Sequence, residues 1–380
     1  MAAPSLPPTP PFGTFFVPGP TEIRPEILAQ MTRPMMGHRG RAFEAMFARI
    51  EAGLRDVLLT ARPVYVGATS ATGFMEMAIR NTPDGPILSL VNGAFSERFA
   101  KVAESCERQV DRVEVPWGAT YDFNAVESAL AKKKYVAVTV AHSETSTGVL
   151  TDVRAVGELA HKYGAICVVD SVSGAGGAEL TIDGWGIDFF LTGSQKALAL
   201  PAGLAFAVAS ADFVERAKKV RNRGFYFDVV EYDNYAEKNQ TPSTPATSLL
   251  YALEAQMGDI GREGIERRWE RHIAMRDATI EWVEGMSRRR GVDLSVMAPE
   301  GARSPTVTVV VLPDNIKGPE VSEATKARGY TVGGGYGKLK DTTIRIGHMG
   351  DHSLEGVRRC LHVCESVITE MAERRRFVRV

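Results

Sequence analysis

Lys196 closes the small, polar run Thr192-Gly193-Ser194-Gln195 and opens the apolar run Ala197-Leu198. It is the only ionisable side chain between Phe189 and Leu204. A lysine in such surroundings is partly desolvated, which disfavours its ammonium form and suits an amine that acts as nucleophile and base. Twenty-six positions upstream, Asp170 ends the apolar run Ile166-Cys167-Val168-Val169. Taken singly, the ordinary readings are a solvated surface lysine and a helix-capping aspartate. A lysine and an acid at the ends of two buried strands are, however, what pyridoxal phosphate chemistry needs. The lysine forms a Schiff base with the cofactor aldehyde, and the acid keeps the pyridine nitrogen protonated so that the ring accepts electrons.

The elements that must carry this pair are legible as well. Short apolar runs alternate with amphipathic stretches: Val64 to Val66, Ile87 to Val91, Val113 to Val115, Tyr135 to Val140, Ile166 to Val169, Phe189 to Leu191 and Leu204 to Val208. Near-continuous apolar character with intervening helical patterns predicts an α/β fold whose mostly parallel sheet is covered on both faces. In such a sheet ligands sit beyond the carboxyl ends of the strands, the edge that Asp170 and Lys196 share. A long charged helix from about Ser248 to Met286, broken near Gly258 to Gly264, leads to a small α+β unit. That unit holds a strand at Thr306 to Leu312, a helix at Pro319 to Arg328, a Gly-rich loop at Gly333 to Gly337, a strand at Thr343 to Ile346 and a helix from Leu354 to Arg375. The expected division is an N-terminal arm (1–20), a large domain (21–255) and a linking helix with the small domain (256–380).

Further candidates follow the other strands. Ser70-Ala71-Thr72 forms a small-residue turn before a helix, where backbone N–H groups and the helix N-terminus favour a phosphate. Phe95, after the next strand, can stack on a flat cofactor or serve as a core residue. His142 to Gly148 again follows a strand, with His142 expected only to line the pocket. Arg345, between two isoleucines, points to the opposite face from them, where a guanidinium could clamp a substrate carboxylate.

The chain has 380 residues, 44% hydrophobic and 24% charged, with a formal net charge of -1. These are the values of an ordinary soluble protein and carry no bias toward nucleic acid. No run approaches a membrane span and the Pro-rich start is no secretory signal, so a cytoplasmic location is expected. Cys360 and Cys364 have His362 between them but no second Cys or His pair, so no metal site is expected.

These motifs in this order resemble the class V aminotransferases of pyridoxal-phosphate fold type I, and within them the alanine–glyoxylate and serine–glyoxylate (serine–pyruvate) branch. The most specific pieces are Ser143-Glu144-Thr145-Ser146-Thr147-Gly148, Val169-Asp170-Ser171-Val172, Gly193-Ser194-Gln195-Lys196-Ala197-Leu198 and Arg345-Ile346-Gly347. Pro18-Gly19-Pro20-Thr21 and Gly37-His38-Arg39 extend the likeness to nearly the whole chain. The resemblance implies a large domain with a seven-stranded sheet and a small C-terminal domain. It implies pyridoxal 5'-phosphate on Lys196, with Asp170 as ring-nitrogen partner. Phe95 and Val172 would pack on the ring, Thr145 would contact its phenolic oxygen, and Ser70, Ala71, Thr72 and Gln195 would hold its phosphate. It further implies a homodimer in which Thr244 completes the neighbour's phosphate site, and a substrate set of Arg345, Gly37 and His38. The expected reaction is ping-pong transamination between alanine or serine and glyoxylate or pyruvate. Phosphoserine and 2-aminoethylphosphonate remain alternative donors, since His38, Arg39, Arg41, Lys338 and Lys340 could meet a second anion, and so does ureidoglycine, which sequence signals separate poorly from serine or alanine. Cysteine desulfuration is disfavoured because Arg328 to Thr343 holds no cysteine.

Overall fold

The β-branched and aromatic runs become strands, buried on both faces in all but the edge strand Val110–Glu114 of the large sheet. The computed structural model describes residues 11–377, and the first ten residues of the expected arm lie outside them. Seven strands form one sheet in the order Val64–Gly67, Ala205–Ala209, Phe189–Gly193, Ile166–Asp170, Ala137–Ala141, Ile87–Val91, Val110–Glu114. Ala205–Ala209 runs antiparallel to both of its neighbours, and the other adjacent pairs are parallel. The parallel pairs need helical crossovers, supplied among others by Ala94–Ser105 and Val153–Lys162. The antiparallel return needs none. The chain goes directly from Gly193 to Ala205, and Lys196 lies on that connection. Two apolar cores cover the faces, one centred on Val138, Val169 and Phe190 and the other on Val168, Phe189 and Leu191. Burying each such side chain stabilises the fold by roughly 1.5–3 kcal/mol.

The small unit is a mixed sheet in the order Phe15–Phe16, Thr331–Gly334, Thr343–Ile346, Thr308–Val311, Ser295–Val296, packed against Leu354–Phe377. Two expectations change here. Gly333 and Gly334 were expected in a loop but pair as strand with Arg345 and Ile344. Phe15–Phe16, expected in an arm, is an edge strand parallel to Thr331 and Val332. The long charged helix is two, Thr247–Glu263 and Ile265–Arg290. They break at Gly264, whose φ of 84° a side chain would disfavour. Among the described residues no helix is long and apolar enough to cross a membrane.

Candidate active site

Three adjacent strands end at one place. Beyond Ala137–Ala141 comes the segment Ser143 to Thr147, Ile166–Asp170 ends on the acid, and Phe189–Gly193 leads to Lys196. The Lys196 connection folds back tightly. Ala199 N donates to the Lys196 carbonyl (2.8 Å) and Leu200 N to the Ser194 carbonyl (3.1 Å), with Ala199 at a left-handed φ of 54°. Arg268, fully buried, donates to the carbonyl of Ala197 (2.7 Å) and pairs with Asp351 and Glu263. The connection that carries the lysine is thus held by a residue of the helix Ile265–Arg290. The Lys196 side chain is 7% exposed, and Nζ donates to the Pro18 carbonyl. Gly19, at φ 106°, leaves room for it, because a Cβ there would overlap the lysine's last carbons and Nζ.

Burial pushes the Lys196 amine down to about 7. The Arg345 cation adds to the effect, while Asp170 and Glu144 oppose it. Asp170 is 5% exposed. Burial raises its carboxyl to about 7, against the Val172 N–H that donates to Oδ1 at 2.8 Å. Burial thus displaces an acid and an amine that line one cavity toward neutrality.

The cavity they share measures about 280 Å³. Ser70, Ala71 and Thr72 form one wall at the start of the helix Ala71–Asn81. Phe95, Thr145, Val172 and Gln195 are among its other lining residues. Ser70 makes no side-chain cap bond; the Gly73 N–H donates to the Ser70 carbonyl (2.9 Å), while those of Ala71 and Thr72 have no intrahelical partner. Thr145 Oγ1 bonds Ser173 Oγ. Phe95 lies in the first turn of Ala94–Ser105, whose N-terminus is capped by a carboxylate from another part of the chain. Glu144, fully buried, accepts from the N–H of Phe95 (3.1 Å), Ser96 (2.8 Å) and Ser146 (3.1 Å) and from the hydroxyls of Ser96 and Ser146.

Arg345 does not line this cavity but touches one of its lining residues, Thr145. Its Nε donates to the Gly334 carbonyl (2.7 Å) and its Nη1 to the Thr145 carbonyl (3.4 Å). Burial lowers its pKa, with Tyr336 and Glu144 opposing. Tyr336 lies 5.2 Å from the Phe95 ring and 5.5 Å from the Arg345 guanidinium.

Other expected residues lie elsewhere. Gly37, His38 and Thr244 do not line this cavity. Arg39 ties their segments together by donating to Gln240 Oε1 and to the carbonyls of Thr241 and Pro242, with Gly37 and Thr244 exposed. His142 also does not line it. Its Nδ1 bonds Ser171 Oγ (2.9 Å), burial lowers it to about 4, and it lines a separate cavity with Tyr121 and Trp185. The reason is strand alternation: one residue past Ala141 the side chain turns to the far side of the sheet edge.

The model of the family described as aminotransferase class-V matches residues 26–336. The chain is a class-V aminotransferase. It is 38% identical over 346 residues to an uncharacterized aminotransferase of Methanocaldococcus jannaschii (88% of this chain, 87% of that one). It is 31% identical over 366 residues to the serine–glyoxylate aminotransferase of Arabidopsis thaliana (94% and 90%). Among solved structures, the alanine–glyoxylate aminotransferase of Nostoc sp. superimposes with a TM-score of 0.89 at 28% identity, over 97% of each chain. The seven-stranded sheet and the small mixed sheet are those of this aminotransferase fold.

Three parts of the aminotransferase site were not singled out by sequence reasoning. Glu144 lay inside a recognised motif, but its task depends on a helix start 48 residues away. Arg98, one turn after Phe95, also lines the cavity; the i, i+3 spacing from a suspected stacking ring was the available signal. Arg268 looked like one charge in a charged helix, and nothing local marks it as buried.

Proposed function

We propose that this aminotransferase uses pyridoxal 5'-phosphate to move the amino group of a small amino acid, alanine or serine, to a 2-oxo acid, glyoxylate or pyruvate, in a ping-pong reaction. The observation that carries the reading is Lys196 and Asp170 in one buried cavity, both displaced to about 7. The names of the Arabidopsis and Nostoc relatives support glyoxylate as acceptor and serine or alanine as donor.

The residues present fit the cofactor. Asp170 is buried with no cation in hydrogen-bonding contact among the described residues, which a protonated ring nitrogen would supply. The uncapped helix start at Ser70 to Thr72, with Gln195 beside it, suits a phosphate. Phe95 and Val172 offer apolar surface to a flat ring, and Thr145 a hydroxyl to its phenolic oxygen. When bound, the cofactor supplies an electron sink for the bond broken at the substrate α-carbon. Arg345 binds and orients the α-carboxylate. Lys196 would hold the cofactor, and its Nζ would carry the proton from the substrate α-carbon. Its lowered pKa makes a large share of that amine unprotonated near neutral pH. Asp170 holds a proton at the ring nitrogen.

A homodimer is part of the reading. The phosphate turn has no Lys or Arg of its own, while the His38 and Thr244 segments lie together with exposed residues, free to reach a second copy. Loading tests the reading. Protein with pyridoxal phosphate should be yellow, and alanine should bleach the visible band. A protein that stays colourless after loading would refute it.

A further inference from the structure

The cavity that His142 lines measures about 330 Å³ and shares no residue with the cofactor cavity. Tyr121, Phe123 and Trp185 give it aromatic walls. Trp185 meets the His142 ring edge-on, with 6.4 Å between centroids and 84° between planes. His142 itself is 2% exposed. Burial keeps the ring neutral, Nδ1 is bonded to Ser171 Oγ, and Nε2 has no hydrogen-bond partner among the described residues. A buried ring nitrogen without a partner is costly until a ligand or a water meets it. Asp152 and Glu179, both exposed, add two carboxylates to the lining, and no lysine or arginine lines it. Asp152 uses Oδ1 to accept from Ala155 N (3.0 Å) as cap of the helix Val153–Lys162. The cations next in sequence to the lining residues are engaged elsewhere, Arg154 with Glu158 and Arg303 with Glu284.

The proposed reaction uses none of these residues. An enclosed space of this size takes one aromatic ring with a short chain. Ring walls favour a flat apolar body, the two carboxylates favour a cation and repel an anion, and His142 Nε2 asks for one polar group. A ring hydroxyl both donates and accepts, so it suits either tautomer of the imidazole. We propose that this cavity is a binding site for a protonated arylalkylamine that carries a ring hydroxyl. The ring sits among Tyr121, Phe123 and Trp185, the hydroxyl bonds His142 Nε2, and the ammonium pairs with Asp152 and Glu179. The occupant would touch the end of the strand that carries the catalytic acid, because His142 N donates to the Asp170 carbonyl at 2.8 Å. The site needs no cofactor and does not rest on the transaminase reading.

N,N-dimethyltyramine is the probe, because a tertiary amine forms no Schiff base with pyridoxal phosphate. Titrated calorimetrically into the protein with and without the cofactor, it should bind both alike. 3-(4-Hydroxyphenyl)propionate exchanges the cation for an anion and should bind at least about tenfold weaker. N,N-dimethylphenethylamine lacks the hydroxyl and should bind about fivefold weaker, the worth of one hydrogen bond to a buried group. The double variant Asp152→Asn, Glu179→Gln should weaken the probe by about fivefold or more, and asparagine keeps the helix cap. Equal binding of the probe and either analogue to the wild-type protein overturns the proposal, whether or not the variant folds. So does displacement of the probe by pyridoxal phosphate, which would put the amine in the cofactor cavity. Unchanged affinity in a double variant with wild-type circular dichroism also overturns it. If the protein stays colourless after loading yet binds the amine, the transaminase reading fails and this site stands; if it turns yellow, bleaches with alanine and ignores the amine, only this site fails.

Discussion

Replacing Glu144 by glutamine changes one atom and should cost much of the site's rigidity. Oε2 accepts from the N–H of Phe95 and Ser96 and from Ser96 Oγ, and Oε1 from the N–H and hydroxyl of Ser146. Whichever way the amide is placed, its NH2 faces a backbone N–H that cannot turn round. One donor is then left against a donor, at about 1–3 kcal/mol, and the other bonds lose their charge assistance, each weakening by about 1 kcal/mol. Loss of the negative charge at a helix N-terminus adds about 0.5 kcal/mol or more. The sum is about 5–7 kcal/mol. With an unfolding slope of about 3 kcal/mol per M in urea, the midpoint falls by about 2 M. Because the same N–H groups set the Phe95 turn, the affinity for pyridoxal phosphate should fall with it, by about tenfold. Urea unfolding of cofactor-free protein and a fluorescence titration with cofactor give the two numbers. A midpoint within about 0.2 M of wild type with unchanged affinity would refute the assignment of Glu144 as the cap that positions Phe95.

Other outcomes follow from the same geometry. Because burial lowers Lys196 to about 7, the neutral amine dominates above that pH. Cofactor attachment should therefore accelerate from pH 6 to 8 and level off, whereas a climb that continues toward pH 10 would place Lys196 in water. Gly19→Ala puts a methyl group where the Lys196 side chain lies and strains a φ of 106°; attachment should slow at least tenfold with the fold retained by circular dichroism. Asp170→Asn should still attach the cofactor at Lys196 but slow bleaching by alanine about a hundredfold or more, measured by stopped-flow absorbance.

Much of this was legible because buried strands write themselves as apolar runs. Lys196 and Asp170 stood out against such runs, and the cavity does hold both together with Ser70, Ala71, Thr72, Phe95, Thr145, Val172 and Gln195. What escaped depends on partners distant in sequence. A glutamate within Ser143 to Gly148 says nothing about the helix start at Ala94 that it caps, and Arg268 reads as solvated until the small domain covers it. Gly333 and Gly334 look like loop because strand pairing against Arg345 and Ile344 is a tertiary fact that overrides weak propensity. Phe15–Phe16 is too short to register as a strand until its edge position is known. His142 was misplaced by one step of alternation at a sheet edge.

The central claim is that Lys196 carries the cofactor. Loading the protein with pyridoxal phosphate, reducing with borohydride and mapping the peptides by mass spectrometry tests it directly. The account predicts one stable adduct on Lys196, absent if alanine is added before reduction. An adduct on another lysine, or none, would contradict it.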